Sequence, residues 1–381
     1  VELRFDIQAD AWVPRDMNVL YPEITRGGII DMAYQKEPDD IVWVVLANGA
    51  LLGLTYDREQ NVYGWHRHPI GGTSAKVEAV QVISGPAGDV EDVWMIVARA
   101  INGSTKRYVE YFAQALEEGD DIEGAVYLDA SLEYDGAVAA TLTPGAGATT
   151  AGTTGVTFTA GSSVFVAGDV GREIRVRYYD STLERWRTSR AQVTGYTSGT
   201  VVTATILSRF TSTAVIASGG WRMTVTSVRN LHHLEGQTVT AFADGQIATD
   251  LVVSGGAVTL QSKAARVQVG LPYTSVLATQ RMEAGGTAGT AQAKTKRIHK
   301  IALRLYSSLG GKVGSSLSNL DMIPYRRGSD LMDEVPPVVT GDTDGLAYAG
   351  GYETDGRIWV VCDQPLPFTL VAIYPELYTN D

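Results

Sequence analysis

Two Asn-Gly dipeptides, each set between runs of apolar and β-branched residues, constrain this chain more than any other feature. Ile41-Val42-Trp43-Val44-Val45-Leu46 leads into Asn48-Gly49 and on to Leu51-Leu52-Gly53-Leu54-Thr55-Tyr56. Asp92-Val93-Trp94-Met95-Ile96-Val97 leads into Asn102-Gly103 and on to Arg107-Tyr108-Val109-Glu110-Tyr111. Asn and Gly tolerate the positive φ that tight hairpin turns demand, so each block reads as two antiparallel strands joined by a short turn. Trp43 and Trp94 stand 51 residues apart, and Asp355-Gly356-Arg357-Ile358-Trp359-Val360-Val361 echoes the pattern. A recurrence near 50 residues, with about four short strands per unit, is the spacing of propeller blades, because one four-stranded sheet cannot cover its own apolar faces. A pair of ordinary hairpins would give the same local signal.

The rest of the chain reads the same way. Glycine is 41 of 381 residues, above the usual share of about 7%, and Val, Thr and Ala dominate many windows. The expectation is a mostly β, multi-domain chain with propeller-like blades, an inserted small β-barrel and a further β-sandwich-like unit. Residues 1–37 form an N-terminal segment with room for one short helix near 16–25. The chain opens on Val1 rather than Met, so it reads as continuing an upstream part. Residues 38–136 hold the blades, with further strands at 62–66 and 77–83. Residues 137–154 collapse to Ala, Thr and Gly and read as a linker or exposed loop. The barrel is expected over 137–228, with strands at 156–166, 173–179, 191–196 and 201–207. A β unit follows over 229–293, turning at Asp244-Gly245 and ending in a flexible stretch at 284–293. The C-terminal strands, 294–381, return to the propeller-like body, and 301–306 alternates with period two.

Thirty-one basic against 43 acidic residues give a formal charge of −12, which disfavours general phosphate-gripping binding to nucleic acid. The basic run Lys294, Lys296, Arg297 and Lys300 lacks interleaved aromatics, and reads as a solvated loop or subunit contact. A single cysteine, Cys362, excludes an intrachain disulfide and reads as a small buried residue. No window approaches the about 18–20 apolar residues of a membrane-spanning helix, so no membrane insertion is expected.

Chemistry has few footholds. His66 and His68 would share one face of a strand without an evident third ligand, His232 and His233 would point to opposite strand faces, and His299 stands alone. Carboxylates such as Asp89, Glu91, Asp92, Asp120 and Asp121 are abundant without forming a recognisable acid–base pair. Nucleophile elbows, complete phosphate loops and His-Glu-x-x-His helices are absent, and Gly285-Gly286-Thr287 and Gly310-Gly311-Lys312 read as turns. No catalytic, cofactor-binding or metal-binding residue is assigned, no cofactor is expected, and the chain is not expected to be an enzyme.

Residues 32–43 (MAYQKEPDDIVW) and 54–68 (LTYDREQNVYGWHRH), together with Val93-Trp94, Ile101-Asn102-Gly103 and Arg107-Tyr108-Val109-Glu110, resemble segments of the tail nozzle, or tail tubular, proteins of short-tailed bacteriophages. His233-Leu234-Glu235-Gly236, Ala243-Asp244-Gly245, Val269-Gly270-Leu271-Pro272-Tyr273 and 363–370 (DQPLPFTL) extend the likeness. It covers most of the chain outside about 137–227. That middle span resembles the small β-barrel of the first catalytic-cysteine half-domain of ubiquitin-activating enzymes, and no activity follows from it.

The resemblance implies a virion tail protein assembled in the host cytoplasm: a homo-oligomeric ring, usually of six subunits, with a propeller-containing body. Its partners would be an adaptor or portal-side ring and tail fibre or needle proteins, with double-stranded DNA passing through the lumen without specific binding. Six copies at −12 each would carry −72, and an acidic bore would repel the duplex. A ring former should expose apolar residues that look misplaced in one subunit. A glycan-binding tail adhesin stacking sugars on Trp186 or Trp221, and a polysaccharide hydrolase, are the other functions consistent with this composition.

Overall fold

The computed structural model describes residues 1–86, 88, 90–283, 290, 294–326, 328, 330 and 335–380. The fold is mostly β and multi-domain. Among the described residues all strand pairs are antiparallel, and the helical elements are three short 3-10 turns. The chain packs as two compact units, Val1–Gln114 and Ala115–Asp381.

Among its described residues the first unit contains nine strands: β1 (Glu2–Asp6), β2 (Ala11–Arg15), β3 (Ile29–Gln35), β4 (Ile41–Leu46), β5 (Leu51–Asp57), β6 (Val62–His68), β7 (Lys76–Ser84), β8 (Glu91–Ile101) and β9 (Ser104–Tyr111). β1 and β2 pair as an isolated ribbon, β3-β4-β5-β6 form one meander and β7-β8-β9 another. The two Asn-Gly turns differ. Asn102 and Gly103, at φ 46° and 74°, make a two-residue turn between β8 and β9. Gly49 alone takes positive φ, within a wider loop closed by the Leu46 and Ala50 backbones. β4 and β5 are apolar without alternation because the sheet is covered twice. Trp43, Val45 and Leu51 pack with Val77, Val93 and Met95, while Val44, Leu46 and Leu52 pack with Ile24. Residues 16–25 form successive turns instead of a helix. Asp16 accepts the Asn18 amide, the Asn18 side chain donates to Thr25 Oγ1 at 2.6 Å, and Pro22 brings no N–H.

The second unit begins with β10 (Asp129–Asp135), followed by β11 (Leu142–Pro144), β12 (Val156–Ala160), β13 (Glu173–Asp180), β14 (Arg185–Ser198), β15 (Val201–Ser208) and β16 (Arg222–Met223). The last six pair in the order β11-β12-β15-β14-β13-β16 as a half-barrel sheet. Its core holds Leu142, Phe158, Ile174, Val193, Val202 and Trp221. Residues 137–154 are therefore no linker. Leu142 and Ala148 are fully buried, the Gly152 amide donates to Ile206 O, and a Cβ on Gly145 would lie 2.6 Å from the Thr157 carbonyl oxygen. The small residues there reflect close backbone approach, which composition alone cannot tell from freedom. The strand expected over 156–166 stops at Ala160, and Val164 and Phe165 instead donate backbone hydrogen bonds to Gly199 O.

Next come β17 (Val225–Val228), β18 (Thr238–Ala243), β19 (Gln246–Val252), β20 (Val258–Ala264), β21 (Arg266–Leu271) and β22 (Ser275–Ala278). They are followed by β23 (Thr295–Ser308), β24 (Lys312–Ser316), β25 (Asn319–Met322), β26 (Val339–Asp342), β27 (Leu346–Ala347), β28 (Trp359–Cys362) and β29 (Thr369–Asn380). Two four-stranded sheets run β10-β21-β18-β19 and β22-β28-β24-β25; β17 pairs β20, and β23 pairs β26 and β27 on one side and β29 on the other. Asp244-Gly245 closes β18–β19 with both residues at positive φ. Gly310 and Gly311 also take positive φ before β24, where a Cβ on Gly311 would strike the Phe368 ring at 2.5 Å. The stretch at 284–293, apart from Thr290, lies outside the described residues, and so do Gly285-Gly286-Thr287 and Asp89.

Candidate functional site

Strand alternation sets His66 and His68 on one face of β6. Their rings meet, Nδ1 to Nε2, at 2.7 Å, and Thr55 Oγ1 lies 3.2 Å from His66 Nε2. Gly53 makes the space, since a Cβ there would come within 2.1 Å of the His66 ring. His68 sits edge-on to Trp43 at 4.7 Å, and Phe112 tilts against both. Burial pushes both imidazoles down, His68 to about 4 with help from the neighbouring His66 charge. Among the described residues no three His, Cys, Asp or Glu side chains converge as a metal site. The pair packs as two half-buried rings whose charged forms are disfavoured, against Trp43 and Phe112.

The richest polar constellation lies in the second unit, on the outer face of the half-barrel. Ile174 and Val176 face its core, so Glu173, Arg175 and Arg177 project in a row on the other side. With Arg190, Thr188 and Trp186 of β14, they face Glu123, Asp244 and Lys263 across a cleft of about 730 Å³. Arg177 donates to both Asp121 oxygens at 2.8 and 2.9 Å, to Thr188 Oγ1 at 3.0 Å, and pairs with Glu123 at 3.2 Å. Arg175 joins Asp244, Glu173 and the Lys263 carbonyl, and Arg190 pairs with Glu173 at 3.1 Å. Asp244 also accepts the Ala265 and Arg266 amides.

Burial pushes the Glu123 carboxyl up to about 7, with Arg177 opposing the shift and Asp244 and Asp121 adding to it. Burial also acts on Glu173, but its bonds to Arg190 and Arg175 outweigh that and hold it below the usual range. Each guanidinium is thus matched to oxygens of other segments, and Glu123 is the cleft group that exchanges a proton near neutrality. The sequence signal was the charged period-two row Glu173-x-Arg175-x-Arg177. Its partners Asp121, Glu123, Asp244 and Lys263, 54 to 88 residues away along the chain, carried none.

Other candidates resolve individually. His232 and His233 lie on a 3-10 turn, His232–Leu234, rather than a strand, and His233 Nε2 lies 2.9 Å from Ala130 O. Glu91 accepts the Lys36 and Glu37 amides, and Asp120 accepts the Glu117 amide. Cys362 is half-buried, and burial pushes its thiol up. Trp221 is 0% exposed and donates to Ala140 O, so it is no platform for sugars. Trp186 is half-buried, its indole donating to Gly119 O at 3.0 Å. The basic run 294–300 is not a solvated loop. It enters β23, where Lys296 is 0% exposed with Nζ donating to Met282 O at 2.8 Å.

A different kind of feature occupies the start of the chain. In the β1–β2 ribbon, Leu3 stands opposite Pro14 and Phe5 opposite Trp12, so all four share one face. That face is turned to solvent: Leu3 is 65% and Trp12 66% exposed. Leu20 is 97% and Met32 66% exposed close by in sequence. No protein-family model matches this chain, and no curated protein matches it.

Proposed function

We propose that this chain is a structural component of a short-tailed bacteriophage tail, a nozzle or tail-tube subunit forming a ring of about six copies. In this reading the ring is part of the conduit through which DNA leaves the capsid, and it docks an adaptor ring above and fibre or needle proteins below. The observation that carries the proposal is the solvent-facing apolar surface of the β1–β2 ribbon. A two-stranded ribbon has little stability of its own, and this one, tied to its unit through Glu2–Tyr56 and Arg15–Tyr63 while presenting Leu3, Phe5, Trp12 and Pro14 outward, suits a chain completed by association. The mostly β build and the segments resembling tail nozzle proteins support the same reading. The acidic charge of −12 per copy suits a bore that lets duplex slide.

Native mass measurement and electron microscopy of the purified full chain test it. A closed ring of defined order, with a lumen wide enough for duplex DNA, is the expected result. A monomer that binds glycans would replace this reading with an adhesin. A monomer releasing sugar from host polysaccharide, through one essential carboxylate, would replace it with a hydrolase.

A further inference from the structure

The basic run that looked poor in aromatics acquires them from across the sheet. β29 lies antiparallel to β23 with Tyr378 opposite Arg297, Glu376 opposite Lys300 and Tyr374 opposite Ala302. Ile298, Ile301, Leu303 and Leu305 turn inward to the core, so the paired residues form the outer face. On it the His299 ring stacks on Tyr378 at 4.6 Å and 18°, and the Arg304 guanidinium lies 5.6 Å from the Tyr374 ring centre. Tyr306, Tyr374 and Tyr378 are all exposed. Tyrosine and arginine at this density are the composition of protein contact surfaces.

The free edge of β29 is guarded. Pro375 interrupts its row of N–H groups, and the register shifts between Leu370 and Ala372. A partner is therefore received on the face, not by strand addition. Arg297, Lys300 and Arg304 stand against Glu376 and, on β26, Asp342, which leaves this face net positive on a chain of −12. The ribbon is its complement in three respects. Glu2, Asp6, Arg4 and Arg15 balance on the ribbon's other face, so the charges left over are Asp10 in its turn and Asp16 just beyond β2, both acidic. Its outward face is apolar and aromatic. Its five-residue strands run about 17 Å, enough to span Tyr374 and Tyr378, about 13 Å apart along β29. The ribbon's other face is already used at home, where Glu2 accepts the Tyr56 hydroxyl at 2.7 Å and Arg15 donates to Tyr63.

We infer that the outer face of β23–β29 seats the β1–β2 ribbon of a second copy, Leu3, Phe5 and Trp12 lying on its tyrosines. This rests on the ring reading and deepens it. Ribbon and seat are different surfaces, so the contact is head-to-tail, the type that closes rings when the rotation permits.

The test places benzoylphenylalanine at position 12 of the full chain, mixes ¹⁵N-labelled with unlabelled copies, and irradiates the assembled material. Heavy-to-light cross-links from position 12 into 295–308 or 369–380 are expected. Rings whose cross-links fall elsewhere, or that give none, overturn this contact and leave the ring standing. Monomers alone overturn both. As a second measurement, Tyr374→Asp with Tyr378→Asp is expected to weaken ring assembly at least tenfold while leaving the monomer's melting unchanged; unaltered assembly overturns the contact. A (dT)20 oligonucleotide bound by the wild type and lost in the tyrosine variant would identify the face as a single-strand stacking surface and overturn it as well.

Discussion

In Val1–Gln114 the buried charge of Arg99 is met mainly within its own hairpin, whereas in Ala115–Asp381 a network of buried guanidiniums and carboxylates ties distant segments together. Arg99 on β8 pairs with Glu110 on the adjoining β9 and donates to Gly71 O, and His66 meets His68 two residues on. Arg177, by contrast, reaches Asp121, and Arg175 reaches Asp244 and Lys263. The first unit holds its histidines neutral among aromatic rings. The second depends on ionised pairs in which one carboxyl, Glu123, is held near its protonation point. The comparison teaches that β-sheets of similar local construction respond to pH in opposite ways.

The largest break should come from the cleft. Arg177→Met leaves Asp121 and Glu123 facing each other with no guanidinium, and is expected to destabilise the second unit by about 3–5 kcal/mol. Denaturant unfolding should show its transition moving while the first unit's stays in place. Gly53→Ala attacks the other side of the comparison. The added methyl meets the His66 ring, and overpacking of this kind costs about 1–3 kcal/mol, confined to the first unit's transition.

The pH responses sharpen the contrast. His68 has its folded value depressed to about 4 from an ordinary 6.5, so its contribution is complete above 6.5 and is lost as pH falls toward 4. Thermal melts of the first unit should decline across that window, and His68→Gln should flatten the decline. Glu123 has its folded value raised to about 7 from 4.5, so its contribution is complete below 4.5 and is lost as pH rises through 7. The second unit's melting should fall over pH 4.5–7, and Glu123→Gln should remove that slope. The smallest effect belongs to the exposed Arg107–Glu78 pair, where Arg107→Ala should leave both transitions unmoved, because exposed pairs are screened by water and salt.

Much of the fold was legible in short windows. The Asn-Gly hairpins, the Asp244-Gly245 turn and the alternation at 301–306 are properties of neighbouring residues, and each appears where its residues place it. The windows failed where a segment's role depends on what it touches. Residues 137–154 read as a linker because small residues suit both free and tightly packed backbone. Lys296 read as solvated because a buried ammonium is signalled only by its remote carbonyl, Met282 O. The cleft went unread: the row Glu173, Arg175, Arg177 lies in one strand and marked only that strand, while Asp121, Glu123 and Asp244 arrive from elsewhere.

By itself, then, the sequence determined a mostly β chain, because side-chain periodicity and turn chemistry act over two to five residues and require no knowledge of the whole. The tertiary structure alone decided which charges are paired, which aromatics stand beside the basic strand and which apolar face looks outward. Those outcomes depend on contacts across tens of residues, whose energies are set by burial and distance and leave no local mark on the residues that make them.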